Sequence, residues 1–176
     1  MTALKDRLPA TLTTARLVLA TPEMAHVPQM AKLANNKRIY EVLSRLPHPY
    51  GEEDGKYFVT EIARGQTEFA WSILKDDTYI GTIGLHLLPD QLPELGYWLG
   101  EAFWGQGFAT EAGRAVVGAA RAAGAAALRS RALLTNTGSR NVLKKLGFTE
   151  TGESVDQQGT LTGQKVMLMH LELGER

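Results

Sequence analysis

The chain has 176 residues, the span of one domain, and no cysteine, which excludes disulfides, thiolate-held metals and a thiol nucleophile. Its 19 Lys and Arg balance 19 Asp and Glu, so a partner as anionic as nucleic acid is not expected. Residues 115–128, the most apolar stretch, are broken by Arg121 and too short for a bilayer, and MTALKDRLPATL has no apolar signal core. The expectation is a cytoplasmic protein with no membrane contact, one domain over residues 1–176, with 1–11 as a loose lead-in.

Apolar periodicity then orders the elements. Residues 16–20, RLVLA, read as a short strand. Thr21-Pro22-Glu23 has the marks of a helix start: a capping hydroxyl, an early proline and an acid in the first turn. A helix is expected from there to about residue 34, with Val27, Met30, Ala31 and Ala34 on one side. Residues 37–43 and 52–64 predict two more helices, separated by Pro47-His48-Pro49. The period then changes. Residues 69–74 and 79–87 predict a hairpin about Lys75-Asp76-Asp77-Thr78, and 92–99 a third strand with Pro93 near its start. Their short links predict antiparallel pairing. A helix at 108–123, a strand at 128–134 and a helix at 136–146 stopped by Gly147 follow. Strands at 148–153 and 165–173, around Gly159 and Gly163, close the chain. The order predicts an α/β chain on a single mixed sheet, with a meander first and a strand–helix–strand crossover later.

Two segments carry chemistry. In the first, Gly105 and Gly107 stand just before the helix at 108–123, whose open N–H groups and positive dipole end suit a diphosphate. A plain turn accounts for the same two glycines. A P-loop reading fails because no lysine follows them. A dinucleotide fingerprint fails because Thr110 takes the third glycine's place and the strand LRSR carries no acid. In the second segment, residues 136–148, Asn136 and Thr137 read as helix caps and Ser139 as a first-turn hydroxyl. No spacing of His or carboxylates suggests a metal. Trp71, Trp98 and Trp104 suit core or sheet-face positions.

Taken together, FWGQGFATEA, a strand and then N-x-x-S-R-N-V-L-K-K-L-G-F resemble the GNAT superfamily of acyl-CoA-dependent N-acyltransferases. TARLVL near the start and LGYWLGEAFWGQGFATEA look like its ribosomal-protein N-terminal acetyltransferase subgroup. The resemblance covers residues 12–173. It implies the GNAT fold, a central sheet of about seven strands with helices on both faces. Its parallel strand pair at 95–99 and 128–134 splays into a wedge for acetyl-CoA. It also implies pantetheine contacts at Trp98, Leu99 and Gly100, and a diphosphate on the N–H groups of Gln106, Gly107, Phe108, Ala109 and Thr110. Asn136 would contact the cofactor, and Ser139 would protonate the departing CoA thiolate. Trp104 stands where the family has Gln or Arg, Gly138 where alanine is usual, and Ala20 where an arginine is frequent.

The reaction so implied is direct acetyl transfer to a primary amine in a ternary complex, since no cysteine is present to form a thiol-based acyl-enzyme. An α-amino group, with a pKa near ~8, needs only a weak base. Glu94 is the expected base and His86 the alternative. The Leu99 N–H is the expected oxyanion donor. Arg38, Tyr40 and Tyr50 are placed near the acceptor. The acceptor is expected to be a protein N-terminal amino group, with a small-molecule amine, a longer acyl group or non-catalytic acyl-CoA binding as alternatives. Monomer and homodimer are both compatible with the sequence.

Overall fold

The computed structural model describes residues 3–157 and 159–174. One mixed sheet of eight strands runs through it in the order β1-β2-β3-β4-β5-β6-β8-β7. The strands are β1 (Leu12–Thr13), β2 (Val18–Ala20), β3 (Glu68–Lys75), β4 (Thr78–His86), β5 (Glu94–Leu99), β6 (Ala127–Leu133), β7 (Thr149–Val155) and β8 (Lys165–Glu172). The helices are α1 (Leu4–Arg7), α2 (Val27–Ala34), α3 (Lys37–Tyr40), α4 (Glu52–Tyr57), α5 (Phe108–Ala122) and α6 (Thr137–Lys145). All neighbours pair antiparallel except β5 and β6.

Helices cover both faces, as expected. On one face Leu95 and Leu99 of β5 and Leu128 of β6 pack against Phe108, Ala112 and Val116 of α5 and Leu143 of α6. On the other, Met30, Ala31 and Ala34 of α2 pack with Tyr50 and Tyr79, and Trp98 joins them. Gly113 lets α5 approach α6: a side chain there would meet Leu146 at 2.6 Å. Gly147, at φ 103°, ends α6, and the Phe148 N–H donates to Leu143.

Three expectations are corrected. The lead-in is docked, not loose: Leu8 is buried, Trp71 Nε1 donates to the Pro9 carbonyl at 3.1 Å, and Leu12–Thr13 adds an eighth strand. Thr21-Pro22-Glu23 does not open a helix. Glu23 instead caps a 3₁₀ turn at Met24–His26, and Pro28 occupies the first turn of α2. The third predicted helix does not stay α-helical to its end. Phe58–Ile62 winds wider, with the Ala63 N–H reaching the Phe58 carbonyl.

Candidate active site

The parallel pair β5 and β6 is joined at one register point, Glu94 opposite Arg129, and then parts. The Arg129 N–H donates to the Pro93 carbonyl at that point. Just beyond it, the buried Ser130 Oγ donates to the Leu95 carbonyl at 2.8 Å, taking the place of a lost ladder bond. The Gly100 N–H goes to Ile80 of β4. By the alternation of an antiparallel ladder, Leu95, Tyr97 and Leu99 therefore turn their peptide groups toward the gap. This corrects the expected backbone contacts. The N–H groups of Trp98 and Gly100 point to β4, and those of Tyr97 and Leu99 face the opening. The Leu99 carbonyl is taken by Trp104 Nε1 at 2.8 Å, which gives the substituted tryptophan its role.

Two cavities meet at this gap. One, of about 710 Å³, is lined by Leu99, Gly107, Phe108, Ala109, Thr110, Asn136 and Ser139. The other, of about 430 Å³, lies on the opposite face, among Met30, Tyr50, Phe58, His86 and Leu161. Both are lined by Leu95, Gly96, Tyr97 and Trp98 of β5 and by Arg131 and Ala132 of β6. Of the expected cofactor residues, Gly100 and Gln106 are off the wall of the larger cavity. Leu33 fills the space beside Gly100, and the Gln106 carbonyl accepts from Arg16 Nη1 at 3.0 Å.

The larger cavity suits a phosphorylated thioester. Gly107 is left-handed, at φ 83°, and caps α5 with no side chain of its own. The N–H groups of the first turn therefore have no intrahelical acceptor, and the dipole's positive end faces the cavity. Asn136 does cap α6: its Oδ1 accepts from the Ser139 N–H at 3.2 Å. An alanine at Gly138 would meet only Asn136 Oδ1, at 3.8 Å, so the glycine is not required by space. Ser139 Oγ lies 3.1 Å from the Tyr97 hydroxyl. Burial pushes the Tyr97 phenol upward, against a smaller opposing effect of that hydrogen bond, so it keeps its proton at neutral pH. Tyr97 was missed in the sequence, although its parity with Leu95 and Leu99 puts it on the α5 and α6 face.

The smaller cavity has an ionic floor running across the sheet. Glu68, His86, Glu94 and Arg129 stand opposite one another on β3, β4, β5 and β6. His86 Nδ1 lies 2.9 Å from Glu68 and 2.9 Å from Arg45. Glu94 is buried, with Arg131 at 3.6 Å and Arg129 at 3.9 Å, and Arg131 also holds Asp156 at 2.7 Å. Glu94 therefore lines the smaller cavity, but with its charge already paired. A roof closes part of this cavity. Thr160 donates its N–H to the Ser44 carbonyl at 3.1 Å and its hydroxyl to the Leu43 carbonyl at 2.7 Å. Tyr50 is buried in the wall, Arg38 pairs with Glu101 at 3.0 Å, and Tyr40 stacks on His48. Among the described residues, no group of three or more His, Cys, Asp or Glu could hold a metal, and no helix is long and apolar enough to cross a membrane.

Glu111, in the first turn of α5, ties this loop to the front of the chain. Burial raises its carboxyl, but hydrogen bonds from Thr14 and Arg16 outweigh that and hold it below its ordinary 4.5. A depressed carboxylate stabilises the fold fully above the unfolded value and ceases to do so as pH falls through the folded one. The thermal midpoint of the protein should therefore exceed that of Glu111→Gln above pH 4.5, and the two should converge on acidification below it. A midpoint difference independent of pH would count against the charged tie.

Residues 16–149 match a family model described as an acetyltransferase (GNAT) domain. The microcin C7 self-immunity acetyltransferase MccE, solved with acetyl-CoA and AMP, superposes with a TM-score of 0.81 at 16% identity, covering 94% of this chain and 98% of that one. RimL, a ribosomal L7/L12 α-N-protein acetyltransferase solved with CoA, gives 0.80 at 18% identity over 94% and 97% of the two chains. Mycobacterium smegmatis RimJ, solved with a CoA disulfide, gives 0.77 at 18% identity over 94% and 84%. No curated protein matches the chain.

Proposed function

The chain belongs to the GNAT acetyltransferase family and uses acetyl-CoA as co-substrate, and on that premise we propose that it acetylates the α-amino group of a protein N-terminus. The observation that carries the reading is the meeting of two cavities across the β5/β6 gap, one lined by the α5 N-terminus and the other by an ionic floor. Acetyl-CoA supplies a thioester. The first-turn N–H groups of α5 receive its diphosphate, and the gap-facing N–H groups of Tyr97 and Leu99 receive the pantetheine arm and the oxyanion. The amine enters from the smaller cavity. Its nitrogen bonds to the acyl carbon and the carbon–sulfur bond breaks. Ser139 gives its hydroxyl proton to the sulfur as it takes one from Tyr97, and solvent returns the proton to Tyr97 before the next turnover. Glu94 is kept as the group that accepts the ammonium proton, directly or through water. An α-amino group, partly unprotonated at neutral pH, asks less of any base than a lysine side chain does and is therefore the better acceptor.

The roof over the smaller cavity supports a second reading, a small amine enclosed whole. Thiol release from acetyl-CoA with N-terminal peptides of increasing length, set against their single-residue amides, tests both. A rate that rises with length supports the polypeptide acceptor. A rate that falls with length supports the small amine. Release with neither would overturn the amine-acceptor reading.

The roof also carries a prediction. Gly159 is left-handed, at φ 73°, and a side chain on it would run into the Ser44 carbonyl oxygen. Gly159→Ala should lift the loop from residues 43–44. The acceptor KM should rise several-fold while the acetyl-CoA KM stays within about twofold, in line with a loss of about 1 kcal/mol of positioning. An unchanged acceptor KM would remove the roof from substrate binding.

A further inference from the structure

The Thr14–Arg16 segment has no role in acetyl transfer as described so far. We infer that Arg16, anchored by Glu111, which Thr14 also holds, is a positioning residue for the acetyl-CoA diphosphate, fixing the Gly105-Gln106-Gly107 turn so that the first-turn N–H groups of α5, and no carbonyl or carboxylate, meet the anion. This role rests on the reading of the α5 N-terminus as the diphosphate site.

The contacts converge from a segment some 90 residues away in sequence. Arg16 Nε lies 2.7 Å from Glu111 Oε1, and the Arg16 N–H donates to Glu111 Oε2 at 2.8 Å. Thr14 Oγ1 donates to the same Oε2 at 2.6 Å. Arg16 Nη1 donates to the Gln106 carbonyl at 3.0 Å, and the guanidinium lies 4.3 Å from the centre of the Phe108 ring. At Gly107 a side chain would begin 3.3 Å from Arg16 Nη2. One planar fork therefore holds a carboxylate, a carbonyl and a ring at once, which a lysine ammonium could not do.

The electrostatic sense follows. Glu111 suits the dipole at a helix N-terminus, but an uncovered carboxylate there competes with a phosphate for the same N–H groups. A free Gln106 carbonyl would leave the turn beside that N-terminus without its tether. Arg16 neutralises the first and occupies the second. Its side chain is nearly half exposed, but its backbone N–H and Nε are committed to Glu111 and its Nη1 to the Gln106 carbonyl, and Arg16 is not part of the wall of the larger cavity. The fork therefore acts on the ligand through the loop.

Steady-state kinetics with two thioesters test this: acetyl-CoA and S-acetyl-pantetheine, which lacks the diphosphate and the nucleotide. Arg16→Ala should raise the acetyl-CoA KM by about tenfold, equivalent to ~1.4 kcal/mol, and leave the S-acetyl-pantetheine KM within about twofold. Glu111→Gln keeps the guanidinium but loosens its anchor, and should show the same selective loss. If Glu111→Gln tightens acetyl-CoA binding instead, Arg16 is a direct phosphate ligand and the positioning role is overturned. Equal losses with both thioesters would make the pair a brace of the fold alone and also overturn it. A protein without substitutions that uses the two thioesters equally well would sink the diphosphate reading itself, and this role with it.

Discussion

Ser139→Ala should lower kcat by about a hundredfold while leaving the acetyl-CoA KM nearly unchanged, the magnitude expected for loss of a positioned proton donor. The change is clean on structural grounds. Asn136 caps α6 through the backbone N–H of residue 139, which alanine retains, so the helix start survives. What disappears is the hydroxyl 3.1 Å from the Tyr97 phenol. Tyr97→Phe keeps the ring against the α5 and α6 face and removes only the oxygen. It should cost less, about tenfold, because Ser139 can still exchange protons with water. If protonation of the sulfur is the step affected, both losses should shrink with an acyl donor whose thiol has a lower pKa, since such a thiolate leaves unaided. Unchanged kcat in both variants would reduce the pair to a structural hydrogen bond.

Trp71→Ala should destabilise the fold by about 3–5 kcal/mol, the range for removing a buried large aromatic side chain. At ~2–4 °C per kcal/mol for a chain of this size, the thermal midpoint should fall by on the order of 10 °C. Trp71 is fully buried, its ring tilts against Phe69 at 4.8 Å, and Arg64 approaches both rings. Its Nε1–H holds the Pro9 carbonyl, and Arg64 Nη2 holds the Ala10 carbonyl at 2.9 Å. The lead-in should therefore loosen with the core, and proteolysis near residues 3–11 should speed up in step. A midpoint drop below about 3 °C would mean that the space collapses and that the N-terminal segment is held by other contacts.

Residues 108–122 and 137–147 were legible in the sequence because what specifies them is local. Apolar spacing along α5, the cap at Asn136 and the glycine stop at Gly147 act over one or two turns. The same holds for the β3–β4 hairpin, with its left-handed Asp76 and Asp77. Local rules also misled. Pro22 and Pro28 both suit a helix start, and only the burial of Val27 beside Gly55 of α4 and of Met30 with Tyr79 of β4 selects the second. Leu12–Thr13 is too short to show a period and becomes a strand only because β2 is there to pair with.

The residues gathered at the gap divide in the same way. The glycine turn, Asn136 and Ser139 were readable because each belongs to a contiguous motif. Tyr97 beside Ser139, Arg16 on Glu111, Arg131 between Glu94 and Asp156, and Thr160 on the loop at 43–44 were not. These partners lie 25 to 117 residues apart, and Arg131 reaches Glu94 only because β6 runs beside β5. By itself the sequence determined the elements, the glycine turn and the family. The tertiary structure decided which N–H groups face the gap, which charges are paired and where two cavities meet. The reason is physical: propensity and capping are set by neighbours along the chain, whereas ion pairing and cavity shape depend on which strands the sheet brings side by side.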